Sequence, residues 1–151
     1  MIKYIRTNSL SKDFVSLVRM LDADLARRDG EEHKFYAQYN KIDLLHHVIV
    51  AYDADIPVGC GAIKEIDAGV MEVKRMYTLP QRRGSGIASG VLQELEKWAR
   101  ELNYNQCRLE TGKRQPEAIA LYTKRGYRVI PNYGQYVGIE NSVCFEKNFI
   151  D

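Results

Sequence analysis

The chain has 151 residues, a length that fits one compact domain over residues 1–151. Its hydrophobic fraction of 45% and charged fraction of 28% are those of an ordinary soluble protein, and no apolar run approaches the ~20 residues that span a bilayer. The formal net charge of +2 excludes a global field for nucleic acid, so any anion site must be local and neither a nucleic-acid nor a membrane partner is predicted.

The first half of the chain predicts mainly strands. Alternation of apolar and polar residues predicts a short strand over Ile2–Arg6. Ser11 is a suitable N-cap for a helix that ends near Gly30, because glycine readily adopts the left-handed conformation at C′. Residues 31–43 are polar with interspersed aromatic side chains, which leaves a second helix and a loop both open.

Three strands precede a glycine-rich turn. Residues 47–52 and 56–63 flank an Asp-Ala-Asp turn and predict a β-hairpin. Residues 70–78 predict a further long strand that runs into the turn.

The second half alternates helices with strands. Apolar residues at helical spacing predict a helix over residues 87–102. The remaining predicted elements are a strand at 106–110, a helix at 117–125, and strands at 127–130 and 142–149, the last two separated by a loop rich in Gly and Tyr. This order predicts an α/β (α+β) protein with helices on both faces of the sheet.

The cysteines and histidines predict no metal centre. The cysteines are odd in number and lack C-x-x-C spacing, which argues against a disulfide framework and a zinc site. The histidines have no ligand spacing with one another. We expect reduced thiols in a cytoplasmic protein, and the first six residues contain no apolar segment of a signal peptide. The residues concerned are Cys60, Cys107, Cys144, His33, His46 and His47.

The strongest chemical signal is a strand, a turn and a helix in succession. The strand ends at Thr78, and the turn Arg83-Gly84-Ser85-Gly86-Ile87-Ala88 opens the next helix. A helix N-terminus presents unpaired N–H groups and a positive dipole, and glycines let that backbone approach a phosphate. The nucleoside-triphosphate loop and the dinucleotide fingerprint are both absent from the sequence. We therefore predict a pyrophosphate cradle of another kind.

Residues 71–88 resemble the GNAT superfamily of N-acetyltransferases, whose pattern Arg/Gln-x-x-Gly-x-Gly/Ala follows a strand. Registers starting at Gln81 and at Arg83 both fit. We favour Arg83, because this register keeps the spacing from the strand end and puts Ile87 on the apolar face of the helix. A second block, residues 115–127, resembles the family's Asn-x-x-Ala-x-x-Leu-Tyr-x-x-x-Gly-Phe/Tyr segment, with Gln115 where Asn is usual.

The resemblance implies a mixed, mostly antiparallel sheet of six to seven strands flanked by about four helices. It implies acetyl-CoA as the acyl donor, no metal, and direct attack by an amine in a ternary complex. The N–H group of Met76 is a candidate donor to the thioester carbonyl. The pair Lys113-Arg114 is either a ligand of the CoA 3′-phosphate or a solvated surface pair. The expected cofactor-binding residues are Met76, Tyr77, Thr78, Arg83, Gly84, Ser85, Gly86, Ile87, Ala88, Ser89 and Gln115.

Two side chains are the candidate catalytic groups. Tyr122 stands where the family has its general acid, which would protonate the departing thiolate; alternatively, this tyrosine only packs or binds the cofactor. Deprotonating a lysine-like amine at neutral pH costs ~4.6 kcal/mol, so a base, a water relay or a desolvating pocket is needed. Glu72 stands at the position of the base in the histone-modifying branch; alternatively it is a carboxylate paired with Lys74 or Arg75. Glu110 is a second candidate base, or alternatively a carboxylate in a buried or edge ion pair.

Acceptor recognition is expected from residues 21–39 and 133–136. The acidic residues of the first segment suit a cationic amine, and the tyrosines of both segments suit an aromatic wall; they are Asp22, Asp24, Glu31, Glu32, Tyr36, Tyr133 and Tyr136. We predict acetylation of a primary amine of a small molecule. The alternatives are a protein lysine or N-terminus as acceptor, and an acyl-CoA-binding module without turnover. A homodimer is compatible with the resemblance.

Overall fold

The computed structural model describes residues 1–30 and 45–149, which form seven strands and three α-helices. Short 3-10 helices at Pro80–Arg82 and Gly134–Tyr136 lie in two of the connections between these elements. The elements in chain order are β1 Ile2–Thr7, α1 Lys12–Asp29, β2 His47–Asp53, β3 Ile56–Asp67, β4 Val70–Thr78, α2 Ile87–Glu101, β5 Gln106–Gly112, α3 Pro116–Lys124, β6 Arg128–Ile130 and β7 Ser142–Asn148.

The strands form one sheet in the order β1-β2-β3-β4-β5-β7-β6. Neighbouring strands are antiparallel except β4 and β5, which are parallel. The parallel ladder holds only three residue pairs, from Val70↔Gln106 to Glu72↔Arg108, at the beginning of both strands. Beyond these pairs β4 and β5 separate, so the facing backbone groups of both strands need other partners. The sheet is therefore open at this point.

Helices cover both faces of the sheet. Alternate residues of β2 point to opposite faces: Val48 and Val50 pack against α1, whereas Ile49 and Ala51 pack against α2. The apolar stripe predicted for the second helix is buried on the sheet through Ile87, Val91, Leu92, Leu95 and Ala99. Among the described helices, none combines the length and the apolar character that a bilayer crossing requires.

The predicted elements agree closely with the structure. The β2–β3 hairpin, the bounds of β4 and the mixed, mostly antiparallel sheet are confirmed. Ser11 caps α1 by accepting a hydrogen bond from the Phe14 N–H group at 3.2 Å. Gly30 ends that helix with φ of 56° and ψ of −122°, a positive φ but not the left-handed helical conformation we predicted. The segment 31–43, for which a second helix and a loop were both open, lies outside the described residues, which contain three α-helices where about four were expected.

The three cysteines are free and buried. Burial raises the pKa of the Cys60 and Cys107 thiols to about 12 and that of Cys144 to about 11, so they remain protonated and unreactive near neutral pH.

We expect folded protein to show no fast reaction with the thiol reagent DTNB at neutral pH, and denatured protein to react with three equivalents, one per cysteine. The absorbance of the released chromophore measures both states. Rapid labelling of one equivalent in the folded state would contradict the expectation, since it would show a thiol that native motions expose.

Candidate active site

A cleft of about 420 Å³ occupies the opening between β4 and β5. Its size is typical of a pocket for a small ligand. The cleft is lined by β4 from Glu72 to Thr78, the end of β5, the first turn of α2, one side of α3 and the second half of α1. The described elements thus bring together the turn, the strand and the tyrosine that the sequence singled out separately.

The turn before α2 has the backbone conformation that requires glycine. Gly84 and Gly86 both have φ of 85°, and Gly86 is the left-handed N-cap of α2, without a side-chain cap. Among the residues that the structure describes, a Cβ atom on either glycine would meet nothing within 4 Å, so these residues leave the space over the helix N-terminus open. The first N–H groups of a helix have no partner within the helix, and here they adjoin the cleft.

Close packing on β3 positions this helix N-terminus. Ile87, the first residue of α2, is 2% exposed. A Cβ on Gly59 would lie 2.8 Å from the Ile87 Cγ2 atom, and a Cβ on Gly61 would lie 2.9 Å from Val91. Glycine at these two positions of β3 lets the helix approach the sheet beside the opening.

Arginines join the turn to neighbouring strands. The Arg83 Nε atom donates to the Thr78 carbonyl at 3.0 Å, and its guanidinium lies over the Tyr77 ring. Arg82 pairs with Asp53 at the end of β2. These contacts hold the turn against the strand whose end lines the cleft.

Tyr122 brings a buried phenol to the cleft. It lies on α3, is 6% exposed, and packs against the rings of Tyr127 and Phe145 with centroids 5.8 and 6.0 Å away. Burial raises the pKa of Tyr122 above its ordinary value, and the nearby Glu110 carboxylate raises it further. The phenol therefore keeps its proton near neutral pH, which suits a donor.

Glu72 is buried and accepts two hydrogen bonds. Lys74 Nζ donates to one carboxylate oxygen at 3.1 Å, and the Tyr133 hydroxyl donates to the other. Pairing with Lys74 was the alternative that the sequence left open, whereas Arg75 pairs with Asp22 instead. Glu110, the second candidate base, lines the same cleft and accepts from the Ser142 hydroxyl at 2.6 Å.

The loop before β7 brings two tyrosines to the part of the cleft where Glu72 lies. Tyr133 and Tyr136 pack edge to face with ring centroids 5.7 Å apart, and Tyr136 lines the cleft. Burial raises the pKa of both phenols, and the Glu72 carboxylate raises them further. Two of the tyrosines expected in an aromatic wall are thus together, while Tyr36 lies outside the described residues.

The acidic character expected of α1 is already neutralised. Asp22 pairs with Arg75, and Asp24 pairs with Arg27 and Arg28. These carboxylates therefore offer a cationic amine less negative charge than their number suggests, although Asp24 lines the cleft. Glu31 and Glu32 lie outside the described residues.

Most residues singled out from the sequence line the cleft. Ser85 does not; its hydroxyl donates to the Arg82 carbonyl at 2.6 Å. Lys113 and Arg114 are exposed and do not line it either. Sequence reasoning missed Arg75 as part of the site, because no local pattern reveals which side chain a strand irregularity turns toward a cleft. The predicted site residues that line it are Glu72, Met76, Tyr77, Thr78, Arg83, Gly84, Gly86, Ile87, Ala88, Ser89, Gln115 and Tyr122.

A sheet that opens beside a glycine-capped helix N-terminus is the arrangement expected of an acyl-CoA-dependent transferase. The family model for the acetyltransferase (GNAT) family matches residues 14–127, and the chain belongs to that family.

Individual relatives agree with this assignment. The chain is 38% identical to the IAA acetyltransferase of Azospirillum brasilense over 100 residues, which are 66% of this chain and 65% of that protein. A Klebsiella pneumoniae protein named as an acyl-CoA N-acyltransferase has a structure with a TM-score of 0.84 and 30% identity, over 99% of both chains. PaiA N-acetyltransferase from Thermoplasma acidophilum, solved in complex with coenzyme A, shares the fold: its TM-score is 0.74 at 18% identity over 99% of both chains.

Proposed function

We propose that this protein transfers the acetyl group of acetyl-CoA to a primary amine of a small molecule, by direct attack in a ternary complex. One observation carries the proposal: within residues 1–30 and 45–149, an open helix N-terminus, a strand edge that β5 leaves unpaired and a buried neutral phenol all adjoin one cleft. Family membership supports acetyl transfer, and the name of the Azospirillum relative supports a small acceptor.

The turn and β4 are proposed to hold the acetyl donor. The N–H groups from Gly84 to Ser89 would bind the pyrophosphate, because a helix N-terminus with glycine at its cap favours anions. The edge of β4 from Met76 to Thr78, which β5 leaves unpaired, would bind the pantetheine arm. Gln115 lines the cleft and makes no side-chain capping hydrogen bond to α3, and its amide would bind the same arm.

Proton transfers are assigned to the buried side chains of the cleft. Tyr122 would donate its proton to the departing thiolate, whereas the N–H group of Met76 would stabilise the oxyanion formed by attack on the thioester. A carboxylate would accept the proton of the acceptor amine. Glu72, held by Lys74 and Tyr133, is the first candidate, and Glu110 is the second.

Matched amide variants show which of the two carboxylates is the base. We expect Glu72→Gln to lower kcat/KM at neutral pH by about 10²-fold, with partial recovery as rising pH increases the fraction of neutral amine. Glu110→Gln, with the same change of charge in the same cleft, should lower it by less than about fivefold. The pH dependence of kcat/KM measures both. The reverse order of the two effects would make Glu110 the base.

The transfer itself is tested by thiol release from acetyl-CoA with a panel of amines. Unreactive protein thiols would leave the background low. The panel contains small primary amines and a lysine-containing peptide. Release with small amines only supports the proposal, and release with the peptide only would make the acceptor a protein. Acetyl-CoA binding without release for any amine would favour a module without turnover.

A further inference from the structure

We propose that Arg75 and Lys74 bind an acidic group of the acceptor, so that the substrate class of this site is an amine that also carries a carboxylate. This inference rests on the proposed acetyl transfer and names the acceptor class for it. Two adjacent basic residues of β4 carry the argument: Arg75 and Lys74 line the cleft, and their side chains are 1% and 7% exposed.

A local irregularity of β4 orients Arg75. Cys60 of β3 pairs with Tyr77 and Ala62 pairs with Lys74, so that two residues of β4 oppose the single Gly61. Arg75 is one of these two and has φ of 59°, a conformation disfavoured for residues other than glycine. Such bulges re-aim side chains next to active sites. The bulge holds Arg75 on the same side of β4 as α1, whose Asp22 it contacts.

Among the described residues, the guanidinium of Arg75 has few hydrogen-bond partners. Its side chain is 1% exposed, yet within residues 1–30 and 45–149 its one carboxylate partner is Asp22, which is itself half exposed. The Nε atom has no hydrogen-bond partner among these residues. A guanidinium carries five N–H donors, and burying unpaired ones is costly. The arginine therefore has donors to spare for a ligand in the cleft.

Lys74 provides a second cation beside it. The Lys74 side chain is 7% exposed. Its Nζ atom donates one of its three hydrogens to Glu72. The carboxylates near these cations, Asp22 and Glu72, each already have a basic partner. Beyond these two pairs, Lys74 and Arg75 retain N–H donors, and such donors suit an acceptor that carries a carboxylate.

The location also fits an acceptor that is both an acid and an amine. Met76, the proposed oxyanion donor, is the next residue along β4. A carboxylate bound at residues 74 and 75 would hold an amine a few atoms away close to the thioester. The planar guanidinium can bind a carboxylate through two parallel hydrogen bonds, which fixes orientation as well as position.

The first test uses the wild-type protein and matched acceptors: an amino acid, its amide, and the amine obtained by removing its carboxyl group. We measure thiol release at saturating acetyl-CoA. We expect kcat/KM to be at least about 10-fold higher for the amino acid than for the amide or the decarboxylated amine, which both lack the carboxylate. The amine of the amide is less basic than that of the amino acid, so a larger fraction of it is neutral and able to react. This difference favours the amide and therefore works against the proposal. Equal or faster turnover of the amide would overturn it. Absence of thiol release with every amine would instead refute the proposed acetyl transfer.

The second test separates ligand binding from a structural role of Arg75. We expect Arg75→Met to raise KM for the acid about 10²-fold and to raise KM for the amide far less, with Arg75→Lys intermediate. Asp22→Asn removes the same ion pair but leaves the guanidinium, so it should retain the preference for the acid. If Asp22→Asn loses that preference as fully as Arg75→Met, the pair only braces α1 and the proposal is wrong. If Arg75→Met does not fold, the wild-type panel and Arg75→Lys decide.

Discussion

Replacing Tyr122 with phenylalanine should lower kcat by about 10²–10³-fold and leave the affinity for acetyl-CoA within about twofold. The substitution removes one hydroxyl from a ring that is 6% exposed and packed against Tyr127 and Phe145, so the cleft keeps its shape. The thiolate then leaves without a proton donor. Steady-state thiol release measures kcat, and titration calorimetry measures acetyl-CoA binding.

Tyr127→Phe is the matched control. Tyr127 is equally buried, but it does not line the cleft, and its hydroxyl donates to Glu96 at 2.9 Å. We expect this variant to lose about 1–3 kcal/mol of stability, because Glu96 loses one partner, while kcat stays within about threefold of wild type. Full turnover by Tyr122→Phe, or an equal loss of kcat in both variants, would remove the acid assignment.

The pH dependence of kcat gives an independent check on the same residue. The pKa of Tyr122 is raised by burial above 10.0, so its acidic form persists as pH rises from neutral to about 9. We therefore expect no decline of kcat on the alkaline side in this interval. A decline with a midpoint near 8 that is absent in Tyr122→Phe would mean that the phenol ionises far more easily than its surroundings allow.

Local patterns in the sequence predicted the part of the site that one continuous segment builds. The strand ending at Thr78, the turn with Gly84 and Gly86, and the helix from Ile87 lie within 25 residues of one another, and their conformations follow from alternation, glycine and helical spacing. Tyr122 was found through a second continuous block. Both segments line one cleft, although nothing in either alone indicates that they meet.

The end of the cleft where we propose that the acceptor binds depends on contacts between residues far apart in the chain. Arg75 meets Asp22 across 53 positions, and Tyr133 meets Glu72 across 61. Composition alone suggested an acidic α1, because it could not reveal which carboxylates the folded chain pairs with arginines. The length of the β4–β5 ladder is equally invisible in the sequence, since it depends on where two separate strands diverge.

The second large effect is expected at the turn: Gly86→Glu should weaken acetyl-CoA binding by at least about 10²-fold, or about 2.7 kcal/mol. Three causes act together. A residue with a side chain is strained at φ of 85°, by roughly 1–2 kcal/mol. The new side chain would fill open space over the helix N-terminus, and its carboxylate would repel the pyrophosphate. Titration calorimetry with acetyl-CoA measures the loss.

Gly138→Glu separates these causes from general damage to the protein. Gly138 has φ of 80° and does not line the cleft, and in the described part of the chain nothing lies within 4 Å of an added Cβ. The variant therefore carries the same strain and charge elsewhere, and we expect it to bind acetyl-CoA like wild type while its melting temperature falls about as far as that of Gly86→Glu. Equal acetyl-CoA affinity in the two variants would contradict the pyrophosphate site. Loss of affinity in Gly86→Glu alone means that a diphosphate lies over the backbone at that residue.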